Sequence, residues 1–125
     1  MKRGYVDTPE GQVHYVEDGI GDPILLLHQS PRSSRMYYKL MPLLATEYRV
    51  IAIDMLGYGY SDSPPGGGAR YGEPQNEVDS LMNVARNITH VLDALEIEKV
   101  HLMGWHTSAM IAGETAANWP ERIGT

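Results

Sequence analysis

Cysteine is absent from this 125-residue chain. That excludes disulfides and thiol chemistry and fits a reducing cytoplasm, the compartment expected for it. There is no uninterrupted apolar run of roughly 18 residues, so no membrane-spanning helix is expected. The first residues, Met1-Lys2-Arg3-Gly4-Tyr5, lack the apolar core of a signal peptide. Positive charge is scarce: ten Lys and Arg against sixteen Asp and Glu leave a net charge of −6. The basic residues are scattered, which argues against nucleic acid as a partner, because phosphate binding needs a clustered positive surface. His14, His90 and His101 lack the i, i+4 helical spacing and companion carboxylates of a metal site. Gly57-Tyr58-Gly59 and Gly66-Gly67-Gly68 do not continue into phosphate-loop or dinucleotide-binding patterns. No cofactor and no metal are therefore expected. No internal repeat is visible.

What is present is an alternation of apolar runs and helical periods. Gly4 to Thr8 and Gln12 to Asp18 alternate polar and apolar residues around Pro9-Glu10-Gly11, which reads as a hairpin. Pro23 to His28 and Arg49 to Asp54 are too continuously apolar for half-exposed strands and suit strands buried on both faces of a parallel sheet. Between them, Ser33 or Ser34 caps an expected helix over Arg35 to Ala45, with Met36, Leu40, Leu43 and Leu44 inward and Pro42 kinking or shortening it. Met55 to Gln75 reads as a long loop containing Pro64-Pro65-Gly66-Gly67-Gly68. Glu77 to Leu95 has apolar residues at spacings of three and four and reads as helix. Lys99 to Gly104 is the expected fifth strand and Thr107 to Trp119 the helix after it, closed by Pro120. The order implies a three-layer α/β fold, mainly parallel, with an antiparallel hairpin at its first edge.

The join between that last strand and helix carries the sharpest signal. Gly104-Trp105-His106-Thr107-Ser108 has the layout small-x-nucleophile-x-small, in which a strained turn lifts a nucleophile above a parallel sheet. The nucleophile position holds His106, where serine is usual. His106 reads either as a general base, as a direct nucleophile, or as a residue filling a dead pocket. Ser30 and Ser108 are the hydroxyls expected within its reach. Trp105 and four tyrosines, Tyr37, Tyr38, Tyr58 and Tyr60, are candidates for an apolar lining as well as for plain core or rim.

With the runs Ile24-Leu25-Leu26-Leu27-His28-Gln29-Ser30-Pro31 and Asp54-Met55-Leu56-Gly57-Tyr58-Gly59-Tyr60-Ser61-Asp62, this segment resembles the amino-terminal half of the α/β-hydrolase superfamily in order and spacing. The family pattern has His-Gly after its third strand, Asp-x-x-Gly-x-Gly-x-Ser after its fourth and Gly-x-Ser-x-Gly after its fifth. The resemblance runs from about Gly4 to Arg122.

It implies an oxyanion held by two backbone N–H groups, one from Thr107 at a helix start and one from the loop around Gln29 and Ser30. Gln29 stands where the family has glycine, which would tighten or block that pocket. His28 and Asp54 match positions that hold loops in place. His28, Gln29, Trp105 and Ser108 are candidate substrate-binding residues; His106, Thr107 and Ser30 are candidate catalytic ones.

The resemblance also implies what is not in this sequence. Family members draw their acid and their general-base histidine from strands beyond the helix that follows this turn, whereas this sequence stops at Pro120-Glu121-Arg122-Ile123-Gly124-Thr125, where a sixth strand would begin. The expectation is one domain over residues 1–125 without the carboxy-terminal half, either a natural truncation or a piece of a longer reading frame. Asp54, Asp62 or a neighbouring subunit remain as candidates to orient His106. The edge Val100-His101-Leu102-Met103 would be open, so a homo-oligomer, most simply a two-fold dimer, is expected. Two functions follow: weak hydrolysis of a small ester or acyl substrate at a His106-centred site, or a catalytically inactive remnant serving as a binding or oligomerising module.

Overall fold

The computed structural model describes residues 1–64 and 77–125, with the side chains of 77–80 left aside. The Gly66-Gly67-Gly68 tract and the inward position of Val78 lie outside what is described. The strands are β1 (Lys2–Thr8), β2 (Gly11–Asp18), β3 (Asp22–Leu27), β4 (Tyr48–Ile53) and β5 (His101–Gly104), and the helices are α1 (Met41–Leu44), α2 (Glu77–Ala94) and α3 (Thr107–Asn118). They form one five-stranded sheet in the order β1-β2-β4-β3-β5. β1 and β2 are the antiparallel hairpin, and β2 also runs antiparallel to β4. β4, β3 and β5 are parallel to one another.

The apolar runs of β3 and β4 feed two cores by simple alternation. Leu25 and Leu27 of β3, with Ile51 and Ile53 of β4, face Ile88, Val91 and Leu92 of α2. Leu26, Val50 and Ala52 face Tyr37 and Met41 on the opposite side. A strand buried on both faces has no polar face to show, which is why these segments lack the alternation of the hairpin. The three-layer α/β architecture expected from the sequence is therefore the observed one. Among the described residues no helix is long and apolar enough to cross a membrane.

Two expectations are corrected. The helix expected over Arg35 to Ala45 is instead a 3₁₀ turn at Ser34–Tyr37, capped by Ser33 Oγ accepting from the Arg35 N–H, followed by the single-turn α1. Proline has no N–H and clashes with the preceding turn, so it is accommodated only where a helix begins. Pro42 sits in the first turn of α1 and sets that beginning. The second correction concerns the β5 edge. Val100 and Ile123 form a parallel bridge; the N–H groups of Val100 and Leu102 donate to the carbonyls of Arg122 and Thr125 at 2.9 and 2.8 Å, and Gly124 N–H donates to Val100 O at 2.8 Å. The edge expected to be open is thus covered along Val100 to Leu102 by the chain's own residues.

Candidate functional site

β3 ends at Leu27, whose carbonyl oxygen accepts two hydroxyls: Tyr37 at 2.8 Å and Ser108 at 2.8 Å. This one backbone group ties the loop after β3 and the turn after β5 to the same point of the sheet. Ser108 is fully buried, and its Oγ also accepts the Trp105 N–H at 2.7 Å, closing the turn on itself. Gly104 is required because a Cβ there would stand 2.3 Å from the Ser108 carbonyl oxygen. Between these anchors His106 takes φ 57°, ψ −115°, immediately before α3 begins at Thr107. A non-glycine residue in such a conformation costs of order 1–3 kcal/mol and persists only where its surroundings impose it. Here Gly104 and Ser108 impose it.

His28 is fully buried, and both ring nitrogens are committed to backbone. Nε2 accepts the Met55 N–H at 3.0 Å, so Nδ1 carries the proton and donates to the Gln29 carbonyl at 3.0 Å. Burial pushes the imidazole's pKa below its ordinary value, against the Gln29 hydrogen bond and the Asp54 charge. His28 is therefore a neutral strut behind the loop, with no nitrogen left for a ligand. The Gln29 carbonyl also accepts the Arg32 N–H at 2.7 Å, turning the loop.

Asp54 is the second strut. Its carboxylate accepts Ser34 N–H at 2.7 Å, Tyr60 N–H at 3.0 Å and His14 Nδ1–H at 3.0 Å. Burial pushes its pKa up, but the hydrogen bonds from Tyr60, Ser34 and His14 outweigh this and hold the carboxyl below its ordinary value of 3.8. Gly59, at φ +53°, passes so close that a Cβ would meet Asp54 Oδ2 at 2.2 Å. Ser61 completes the knot, its Oγ accepting His14 N–H at 2.8 Å and donating to the Asp54 carbonyl. The loop-holding roles anticipated for His28 and Asp54 match these contacts. The anticipated use of Asp54 or Asp62 to orient His106 does not: Asp54 is committed as described, and Asp62 Oδ2 accepts the Gln12 N–H at 2.8 Å.

The rim above these struts differs. Trp105, His106 and Thr107 are all exposed. Among the described residues the His106 ring makes no hydrogen bond. Ser30 is brought to the turn between β5 and α3, its N–H donating to Thr107 Oγ1 at 2.7 Å, while its hydroxyl donates to Tyr58 OH at 2.7 Å. Tyr58 in turn rests edge-on against the His28 ring. The two hydroxyls expected to serve His106, Ser30 and Ser108, are both already engaged, so they are not free partners for its imidazole. Sequence reasoning missed the Tyr58 hydroxyl and the Thr107 side chain. A single hydroxyl that acts through a tertiary contact leaves no periodicity or spacing to read.

The alpha/beta hydrolase fold pattern matches residues 22–124. Over 119 residues the chain is 31% identical to haloalkane dehalogenase 2 of Mycobacterium tuberculosis, covering 95% of this chain and 38% of that one. It is 30% identical to a fluoroacetate dehalogenase of Burkholderia sp over 123 residues, 98% of this chain and 38% of the other. Among solved structures, an epoxide hydrolase from an endophytic Streptomyces superimposes with a TM-score of 0.82 at 32% identity, covering 98% of this chain and 34% of that one. The chain spans well under half the length of these relatives.

Proposed function

Because this chain belongs to the alpha/beta hydrolase fold family, we propose that it hydrolyses a small ester or related acyl compound, weakly, with the His106 imidazole as general base toward water. The observation that carries this is the strained, exposed backbone of His106 between β5 and α3, held by Gly104 and Ser108 at φ 57°, ψ −115°. A fold that retains strain at one position while exposing its side chain keeps a group presented to solvent.

With Ser30 and Ser108 engaged, water is the available nucleophile. Water attacks the acyl carbon as His106 takes its proton. The carbonyl oxygen becomes an oxyanion facing the Thr107 N–H at the start of α3, where the helix dipole adds to the hydrogen bond. Collapse of the tetrahedral species expels the alkoxide, which recovers the proton from the imidazolium. No carboxylate of the described residues orients His106, which keeps the expected rate low. Haloalkanes, fluoroacetate and epoxides, the compounds named for the relatives, share an electrophilic carbon with esters and belong in the same substrate panel.

A second reading is favoured by a specific contact. The Ser30 N–H, the other oxyanion donor, is occupied by Thr107 Oγ1, which suits an inactive remnant that binds rather than turns over. Turnover of a short-chain activated ester separates the two. The protein and His106→Ala are compared at equal concentration, with free imidazole as the blank. Saturable turnover above that blank and at least tenfold lower in His106→Ala supports the hydrolase. Rates equal to the blank in both leave the remnant.

A further inference from the structure

The two edges of the sheet differ. β5 is overlain by Ile123–Thr125, whereas β1 is paired with β2 alone and nothing among the described residues covers its outer side. Which backbone groups of β1 face outward follows from β2. The N–H groups of Gln12 and His14 donate to Asp62 Oδ2 and Ser61 Oγ, both at 2.8 Å. Their carbonyls accept the Asp62 and Asp54 N–H groups, so both residues spend their backbone bonds on the side away from β1. An antiparallel ladder alternates bonded and non-bonded pairs. Tyr5 and Asp7 lie opposite His14 and Gln12; with Arg3, two residues before Tyr5, they turn their N–H and C=O to the open edge. A seven-residue edge of this kind is a template for a further strand.

The side chains of the same three residues stand together on one face of the sheet and are exposed, Tyr5 at 52%. Tyr5 rests edge-on against the His14 ring at 5.2 Å. Asp7 Oδ1 accepts the Gln12 side-chain amide at 3.0 Å, and neither Arg3 nor Asp7 has an ion-pair partner among the described residues. Some 13 Å apart along the strand, roughly four residues' rise, they do not meet each other. We propose that β1 pairs with β1 of a second copy, antiparallel about a two-fold axis at Tyr5, joining the two sheets edge to edge. In this register Arg3 lies opposite the partner's Asp7, Asp7 opposite the partner's Arg3, and Tyr5 opposite the partner's Tyr5. All three are bonded pairs, so every outward N–H and C=O of these residues is satisfied. A slip by one residue sets outward groups against residues already bonded to β2, and a slip by two loses both ion pairs. Charge complementarity therefore selects a second copy of this chain as the occupant. One pair of strands is a small interface, so the dimer is weak, with a Kd of roughly 10 to 300 µM.

Small-angle X-ray scattering of the chain from about 10 µM to about 1 mM, read as mass, tests this for the unchanged protein, Arg3→Asp, Asp7→Arg and the double exchange. The unchanged protein is expected to pass from monomer to dimer across that range. Each single exchange sets like charges opposite one another twice by symmetry and should weaken the dimer at least about tenfold. The double exchange restores both ion pairs and should return the Kd to within about threefold of the original. A measurement without variants stands beside it: hydrogen exchange of the Arg3, Tyr5 and Asp7 amides should slow as concentration rises, with the Gly4 and Val6 amides, bonded to β2, unchanged. A monomer at the top of the concentration range overturns the proposal. So does a dimer indifferent to the single exchanges, which would lie on another surface, or a double exchange no tighter than the singles.

Discussion

Two layers of the same site, a few residues apart in sequence, are built on opposite terms. In the lower layer, Asp54, His28 and Ser108 are almost wholly buried, and their polar atoms meet backbone or ring partners at 2.7–3.0 Å. In the upper layer, Trp105 is 55% exposed, His106 and Thr107 are exposed, and the backbone of His106 is strained. Burial decides which residue choices the fold dictates. A buried polar group without a partner costs a few kcal/mol, so the lower layer accepts few substitutions. The upper layer contributes little burial, and its one conformational oddity is imposed from below. Residue 106 is accordingly less constrained by burial than the residues beneath it.

That comparison breaks if substitutions in the two layers have similar effects. The largest loss is expected of Asp54→Ala, which leaves the Ser34 and Tyr60 N–H groups and His14 Nδ1–H without their acceptor. About 3–5 kcal/mol of stability is expected to go, measured by urea unfolding. Gly104→Ala drives a Cβ against the Ser108 carbonyl oxygen and is expected to cost about 3 kcal/mol in the same assay.

The pH dependence sharpens the comparison further. Since the Asp54 carboxyl titrates below its ordinary value of 3.8 in the fold, its stabilisation is fully present above that value. It is lost as pH falls through the lower, folded value. Urea midpoints measured from neutral pH down to about pH 3 should fall steeply in the unchanged chain and less steeply in Asp54→Asn. Ser108→Ala, which frees the Trp105 N–H and removes one donor to Leu27 O, is expected to cost about 1–2 kcal/mol. Smallest is His90→Ala, which removes the contact of His90 Nδ1 with Glu10 at 2.7 Å between α2 and the hairpin turn, at about 0.5 kcal/mol.

The lower layer was the more legible in sequence. Apolar runs long enough to be buried on both faces located β3 and β4, and the family resemblance implied that Asp54 holds a loop in place. Gly104 and Ser108 announced the close approach at the turn. Less was legible where a contact depends on a single hydroxyl or a short stretch of backbone. The pairing of Ile123–Thr125 with β5 rests on three residues, too few to show alternation. The segment Arg35 to Ala45 has a helical period, yet Pro42 overrides it locally. His14 looked like one histidine in an alternating strand, and nothing in its neighbours signalled that Asp54 would meet it across the sheet. The upper layer offered its position but not its partners. His106 was legible as the odd residue at the turn; the closure of Ser30 by Thr107 was not.

If His106 holds its strained position for its side chain rather than for the fold, replacing it with glycine should stabilise the protein and abolish turnover. Thermal unfolding of His106→Gly, with ester turnover measured on the same sample, tests it most directly. Glycine adopts φ 57°, ψ −115° without the side-chain penalty. Relief of strain less the added freedom of the unfolded chain should stabilise the protein by about 1 kcal/mol, or roughly 3–5 °C in Tm. The expected result is a higher Tm together with turnover reduced to the imidazole blank. A lower Tm, or turnover that survives the loss of the imidazole, would contradict it.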